Sequence, residues 1–268
     1  MKSPIAPLRR GLHWESMTIR IAIPEPTSKD TAYNQRSLPQ YIAAIQSSGA
    51  SAMVIPLHER QDRVARLLAN AQGILLPGSG YDLDPHSYGE SRIPACNEPD
   101  PDRAAVDELL LQDAFNQQKP ILAICYGVQA LNVWRKGSLI QDLKDDGKVQ
   151  VNHDPGREVR EAHPVRITPG SRLDGIARES SDILHVNSSH HQALRFPGDA
   201  LHVTAVCPVD GVIEGVELES KHHFVVGVQW HPERTYTTSE FSRGIFSAFT
   251  EAASNWQLRS AEESVTPV

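Results

Sequence analysis

The chain has 268 residues, 40% of them hydrophobic, which is enough to bury a substantial core in one large domain or two small ones. Its formal net charge of −7 gives no electrostatic reason to expect binding to nucleic acid or to an anionic membrane. No apolar run approaches the roughly 20 residues of a membrane-spanning helix, so we expect no membrane insertion. Cys96, Cys125 and Cys207 lie far apart with no CxxC pair, which favours a cytoplasmic setting over a disulfide framework.

The N-terminal half alternates short apolar runs with longer amphipathic ones. The apolar runs predict strands at 18–24, 51–57, 73–80 and 120–125. The amphipathic stretches predict helices at 38–49, 58–71, 102–118 and 127–137. Strand–helix alternation of this kind predicts a mostly parallel central sheet with helices on both faces.

After Gly137 the pattern changes to short β-rich runs separated by Gly, Pro and Asp. They are HPVRITP, DILHVNS, LHVTAVCP, VIEGVELE and FVVGVQW, and they predict antiparallel strands. A closing helix is predicted at 239–256. The predicted fold class is therefore α/β, a mostly parallel helix-flanked sheet with an additional antiparallel β-rich section in the C-terminal half.

No linker divides the chain, so we expect a single domain over residues 18–256. Residues 1–17 carry two arginines but no apolar segment after them, so they read as a flexible leader and not as a secretory signal. Residues 257–268 are expected to form a polar tail.

Cys125 stands where the strand PILAI ends and the helix GVQAL begins. Ligands of open α/β sheets bind beyond the carboxyl ends of the strands. A tight strand–turn–helix here would expose the sulfur, and Gly127 would let helix and strand approach closely. The helix N-terminus would lower a thiol pKa and hold a developing oxyanion. These features make Cys125 a candidate nucleophile, but taken alone they leave open the commoner role of an isolated cysteine as small core filler.

A cysteine nucleophile needs a base, and the base needs an acceptor that orients it. The tripeptide His231-Pro232-Glu233 follows the apolar strand FVVGVQW directly. In an extended segment residues i and i+2 point the same way, and Pro232 biases His231 away from helix. Glu233 would then accept from one imidazole nitrogen while the other faces the thiol.

Five segments in family order resemble the class I glutamine amidotransferase-like superfamily, and within it the gamma-glutamyl-gamma-aminobutyrate hydrolase family. They are LLPGSGYDLDPHSYGE, AICYGVQ, GSLIQDL, HVNSSHHQAL and GVQWHPE, within residues 18–250. The resemblance implies a flavodoxin-like fold and a Cys–His–Glu triad. It also implies hydrolysis of the γ-glutamyl amide bond of small γ-glutamyl amines, through a glutamyl thioester, to glutamate and amine.

The resemblance assigns roles to individual residues. Cys125 matches the nucleophile, His231 the general base and Glu233 the residue that orients it. The backbone N–H groups of Gly78, Gly80 and Tyr126 match the oxyanion hole. The remaining matches are to substrate-binding positions: Gln129, His190 and, more weakly, Glu90.

No metal or other cofactor is expected. HVNSSHHQ and KHHF look metal-like, but neither has a spacing such as HExxH, and a carboxylate or cysteine partner is not obvious.

Three other functions stay open. The chain could be a glutaminase subunit that delivers ammonia to a synthetase partner, a γ-glutamyl amide synthase or transferase, or a non-catalytic binding relative. The expected partner is otherwise a small-molecule γ-glutamyl amide, with no nucleic acid and no membrane; an exposed apolar patch would allow a homodimer.

Overall fold

A computed structural model of the protein describes residues 18–147, 149–177 and 183–265. Its described strands form one sheet in the order β2-β1-β3-β4-β11-β10-β9-β6-β7, and β8 pairs with both β5 and β10. The strands are β1 Arg20–Pro24, β2 Ser51–Ile55, β3 Gly73–Leu76, β4 Ile121–Ile124, β5 Ser138–Ile140, β6 His163–Ile167, β7 Ile183–Val186, β8 Ala193–Phe196, β9 Leu201–Val206, β10 Ile213–Leu218 and β11 Val225–Val228.

The helices cover both faces of the parallel half. They are α1 Thr31–Ser47, α2 Gln61–Leu68, α3 Pro101–Gln117, α4 Tyr126–Trp134, α5 Arg172–Ala177 and α6 Glu240–Val265. One core lies between the sheet and α2, α3 and α4, and a second lies between the sheet and α1 and α6. Successive residues of a strand enter opposite cores, as Leu75 and Leu76 do. Because both faces are covered, all of β3 and β4 is buried and reads as a continuous apolar run.

The structure confirms the predicted α/β class and corrects one strand. β11, expected to be antiparallel, pairs in parallel with β4 and antiparallel with β10. It is therefore the junction between a parallel half (β1–β4) and an antiparallel half (β5–β10). Its composition could not show this, because a buried apolar strand reads the same in either direction.

Two helix boundaries differ from prediction by more than three residues. α1 begins at Thr31, seven residues early, because the Asp30 side chain caps it by accepting from the Tyr33 amide; Pro39 lies inside the helix. α6 continues to Val265, into the predicted polar tail, because no glycine or proline interrupts 245–265. The predicted leader, 1–17, lies outside the described residues.

Within the described ranges, no helix combines the length and apolarity needed to cross a membrane.

Candidate active site

Cys125 occupies a sharp turn between β4 and α4. Its backbone has φ 53° and ψ −110°, a conformation that a residue with a side chain adopts only under strain. The strand before it ends at Ile124 and the helix after it begins at Tyr126, which confirms the predicted strand–turn–helix. The expectation that this turn exposes the sulfur is wrong, because Cys125 is buried. The turn places the cysteine at the carboxyl edge of the parallel strands.

Gly127 allows α4 to start this close to the sheet. A Cβ atom at this position would lie 2.2 Å from the backbone carbonyl oxygen of Leu76 in β3. Any side chain would therefore push the helix away from the strand. The expected close approach is confirmed, although the strand that Gly127 contacts is β3 and not β4.

His231 and Glu233 form a buried pair just after β11. His231 Nδ1 lies 2.8 Å from Glu233 Oε1, so Nδ1 carries the proton and Nε2 carries the lone pair. His231 Nε2 is buried and has no hydrogen-bond partner within the described ranges. The Asn187 side chain fixes the histidine backbone, accepting from the His231 N–H at 2.8 Å and donating to its C=O at 2.7 Å.

Gly78, after β3, lies between the cysteine and the histidine. A Cβ atom on Gly78 would be 3.2 Å from His231 Cε1 and 3.5 Å from Cys125 Cβ. The loops after β3, β4 and β11 therefore meet at one point, as the carboxyl ends of neighbouring parallel strands must. The Gly78 N–H donates to the Tyr41 hydroxyl at 3.0 Å. Because that amide is already engaged, Gly80 suits an oxyanion role better than Gly78 does.

Burial sets the protonation of the thiol and the imidazole. It raises the pKa of Cys125 to about 12, against the lowering effects of the Arg234 charge and the Tyr126 backbone N–H. Burial also lowers the pKa of His231, although the Glu233 carboxylate opposes it. The lowered thiol pKa that the sequence predicted is therefore wrong. Both the thiol and the imidazole are neutral at physiological pH, and a thiolate must form by proton transfer rather than exist beforehand.

A cavity of about 130 Å³ opens beside Cys125. Four of the predicted residues line it together with the cysteine: Gly80, Tyr126, Gln129 and His190. The buried Gln129 amide donates to the Gln192 carbonyl and to Gln229 Oε1, both at 3.2 Å. Tyr126 contributes to the lining, while its ring is buried with the Arg103 guanidinium 4.7 Å from the ring centre.

Glu90 does not reach this cavity. Its carboxylate accepts from Gln141 Nε2 at 2.9 Å, and Glu90 lies outside the residues that line the cavity. The structure therefore brings Cys125, His231, Glu233, Gln129 and His190 together. Glu90 lies outside this group.

His191, also in the lining, is held between two carboxylates that the sequence did not indicate. Its Nε2 lies 3.1 Å from Asp82 Oδ1 and its Nδ1 lies 3.1 Å from Asp142 Oδ2. The hydrogen bond to Asp82, reinforced by Asp142, raises the pKa of His191 to about 9. The cavity wall thus carries an imidazolium at neutral pH.

A second cavity, of about 420 Å³, lies on the far side of Glu233 and is lined by residues that include Arg157, Asn187 and Arg234. It does not contain Cys125. We place the chemistry at the smaller cavity because the thiol opens into it.

Sequence reasoning missed Asn187, Tyr41 and the contacts of His191 with Asp82 and Asp142, although the resemblance made His191 a weaker match to a substrate-end position. No spacing rule links these residues. The available signal was that Asn187, His191, Asp82 and Asp142 all belong to segments already singled out.

Comparison with known proteins identifies relatives over most of the chain. A family model described as Peptidase C26 matches residues 20–233. A Mycobacterium tuberculosis protein provisionally named as a glutamine amidotransferase is 37% identical over 223 residues, 83% of this chain and 69% of that protein. The gamma-glutamyl-gamma-aminobutyrate hydrolase PuuD of Escherichia coli K12 is 33% identical over 221 residues, 80% of this chain and 84% of the relative.

Among solved structures, a Thermoplasma acidophilum protein provisionally named as part of a GMP synthase has a TM-score of 0.62. The match covers 91% of this chain and 98% of that one at 15% identity, a likeness of fold alone. It agrees with the flavodoxin-like fold that the sequence resemblance implied. The chain belongs to the peptidase C26 family, cysteine hydrolases and amidotransferases of the class I glutamine amidotransferase-like group.

Proposed function

We propose that the protein hydrolyses the γ-glutamyl amide bond of small γ-glutamyl amines such as γ-glutamyl-GABA. The observation that carries the proposal is the meeting of the strained Cys125 turn with the buried His231–Glu233 pair around Gly78. The same three positions match the triad of the resembled family. The substrate class is supported by the relatives named as γ-glutamyl-γ-aminobutyrate hydrolases.

The reaction begins with proton transfer. His231 Nε2 takes the Cys125 thiol proton as the sulfur attacks the γ-carbonyl carbon and forms the C–S bond. Glu233 stabilises the resulting imidazolium through its 2.8 Å contact with Nδ1. The Tyr126 backbone N–H already favours negative charge on the sulfur, and together with the Gly80 N–H it would hold the oxyanion.

Two further steps complete the cycle. His231 returns the proton to the amine nitrogen as the C–N bond breaks, which leaves a glutamyl thioester on Cys125. Water then attacks the thioester carbonyl and gives up a proton to His231. Glutamate leaves, and the thiol is restored by that proton. The small volume beside Cys125 suits a glutamyl group with its polar ends against Gln129, His190 and His191.

Glutamate release from a panel of γ-glutamyl amides, including glutamine and γ-glutamyl-GABA, tests the proposal. We expect Cys125→Ala to reduce release at least ~10³-fold. Cys96→Ser, at a buried cysteine outside the cavity lining, is the matched control and should retain activity. Silence on every amide would overturn the proposal.

The relative named as a glutamine amidotransferase favours one alternative, an ammonia-delivering glutaminase subunit. Turnover of glutamine alone, with activity that rises only when a synthetase is added, would select that function. Formation of a new γ-glutamyl amide from an added amine would instead select transfer or synthesis.

A further inference from the structure

Four buried side chains outside the proposed triad converge on one point in the antiparallel half. They come from separate segments: His153 from the connection between β5 and β6, His163 from the start of β6, His190 from the β7–β8 connection and Glu214 from β10. Each is at least 95% buried. One ligand atom from each lies within 4.8 Å of all the others. Of this group, the proposed hydrolysis uses only His190, which lines the cavity beside Cys125.

The outer nitrogens of the three imidazoles are all committed to acceptors. His163 Nδ1 lies 3.2 Å from the Pro164 carbonyl oxygen, and His190 Nδ1 lies 2.9 Å from the Gln192 carbonyl oxygen. His153 Nε2 lies 3.0 Å from Asp210 Oδ2. Because carbonyls and carboxylates only accept, each of these outer nitrogens carries the ring hydrogen.

With its ring neutral, each histidine carries a lone pair on its inner nitrogen, and all three inner nitrogens face the Glu214 carboxylate. His153 Nδ1, His163 Nε2 and His190 Nε2 lie 3.2, 3.6 and 3.7 Å from Glu214 Oε1. These three nitrogens and both Glu214 oxygens are buried without a hydrogen-bond partner within the described residues. Five acceptors aimed at one another are electrostatically unfavourable unless a cation lies between them.

The spacing suits a metal ion better than shared protons. Two of the three separations exceed hydrogen-bond length, and the shortest is misaligned for a hydrogen bond. A tetrahedral zinc site with bonds of about 2.0–2.2 Å sets its ligand atoms roughly 3.3–3.5 Å apart. The outer contacts to a carboxylate and to backbone carbonyls are those that metal-bound histidines make to fix their tautomer.

We propose that His153, His163, His190 and Glu214 bind a divalent transition-metal ion of the zinc class in a closed, four-ligand structural site. The sequence had indicated no carboxylate partner for HVNSSHHQ. Folding supplies one from β10, 24 residues beyond His190.

The site has a mechanical role. The connection 141–162 has no helix or strand among its described residues, and long irregular connections need tethers. The His153 carbonyl accepts from Ser188 Oγ at 2.6 Å and from the His190 N–H at 3.0 Å, so the same histidine joins this connection to the β7–β8 connection. Asp154, Ser189 and His190 then line the cavity beside Cys125. The metal would hold that wall in place without being a reactant.

Metal content of the full chain, expressed without a polyhistidine tag, is the first test. We expect about one equivalent of zinc per chain after dialysis, and X-ray absorption should report three nitrogens and one oxygen at about 2.0–2.2 Å. Glu214→Gln and His163→Gln should retain less than about a tenth of it. Glu217→Gln and His223→Gln, at buried positions on β10 and beside β11 with their own hydrogen bonds, are the matched controls and should keep the metal.

Unfolding with and without a strong chelator is the second readout. The wild-type midpoint should fall on chelation, while those of the two ligand variants should not move. A wild-type protein that carries no metal, takes up neither Zn²⁺ nor Co²⁺ and ignores the chelator would overturn the proposal, as would metal retained equally by both ligand variants. Because the metal content of the wild-type protein needs no variant to fold and no substrate, it can fail or succeed independently of the hydrolase proposal.

Discussion

The two halves of the sheet bury different kinds of side chain. In the parallel half, β3 and β4 are wholly aliphatic apart from Gly73, and helices cover both faces. In the antiparallel half, β10 buries Glu214 and Glu217, and β6 begins with the buried His163. The first half is stabilised by close packing, so a change in side-chain volume there should lower its stability. The second also buries ionisable groups, so its stability should respond to changes in charge.

The proposed catalytic residues follow this division. Cys125 belongs to the tightly packed half, where a strained backbone can be maintained by its surroundings. His231 follows β11, the strand that both halves share, and is clasped by Asn187 from the antiparallel half. The parallel half thus holds the proposed nucleophile in a fixed position. The antiparallel half helps to orient the proposed base and supplies a polar wall of the cavity.

The largest effect on activity is expected after β11, at the junction of the two halves. Glu233→Gln keeps the size of the side chain but removes the charge that stabilises the His231 imidazolium, so we expect kcat/KM to fall by ~10²–10⁴. Burial lowers the pKa of His231 while Glu233 raises it, so loss of the carboxylate should also move the acid limb of the pH–rate profile to lower pH. Glu217→Gln is the control, and an unchanged plateau would contradict the orienting role.

The stability of the parallel half should be the more sensitive to a change in side-chain volume. Gly127→Ala places a methyl group 2.2 Å from the Leu76 carbonyl oxygen, and we expect it to lower the free energy of unfolding by ~3 kcal/mol or more. Gly175→Ala, in α5 with nothing within 4 Å of the new methyl, should be neutral or stabilising by up to ~1 kcal/mol. Chemical denaturation of both variants gives the comparison, and equal losses would refute it.

The contact of His191 with Asp82 and Asp142 joins the two halves and should respond to pH. A pKa raised to about 9 from 6.5 stabilises the fold fully below about pH 6.5, and this stabilisation is lost as the pH rises through about 9. A shift of this size corresponds to about 3 kcal/mol, and partial solvent exposure of the His191 side chain reduces the expected change to ~2 kcal/mol over that window. His191→Gln should flatten this part of the stability–pH curve, whereas His202→Gln, at an exposed histidine, should not. A slope that survives in His191→Gln would rule out this source.

The smallest effect concerns strain at Cys125. Alanine is usually the more stabilising residue, but at φ 53° and ψ −110° glycine is the less strained. We expect Cys125→Gly to be more stable than Cys125→Ala by ~1 kcal/mol, although neither variant should turn over substrate. The reverse order in denaturation midpoints would mean that the turn is not strained.

Much of the parallel half was predictable because its signals are local. Apolar runs of four to seven residues, helix periodicity and the position of Cys125 between a strand and a helix are all visible in short windows. The same holds for the His231-Pro232-Glu233 pair. The predicted direction of β11 was wrong, and β5, β8 and α5 were not predicted. Short segments, and segments of mixed composition, have too weak a pattern of apolar residues to be recognised.

The α/β class, the turn that carries Cys125 and the residues proposed as base and orienting acid could be predicted from sequence, since these depend on neighbours in the chain. The partners that they meet depend on the folded structure. Asn187 reaches His231 across 44 residues, Asp82 reaches His191 across 109, and Glu214 faces three histidines from three other segments. Such contacts are fixed by how the two halves pack on either side of β11, and packing is a property of surfaces that no short window contains.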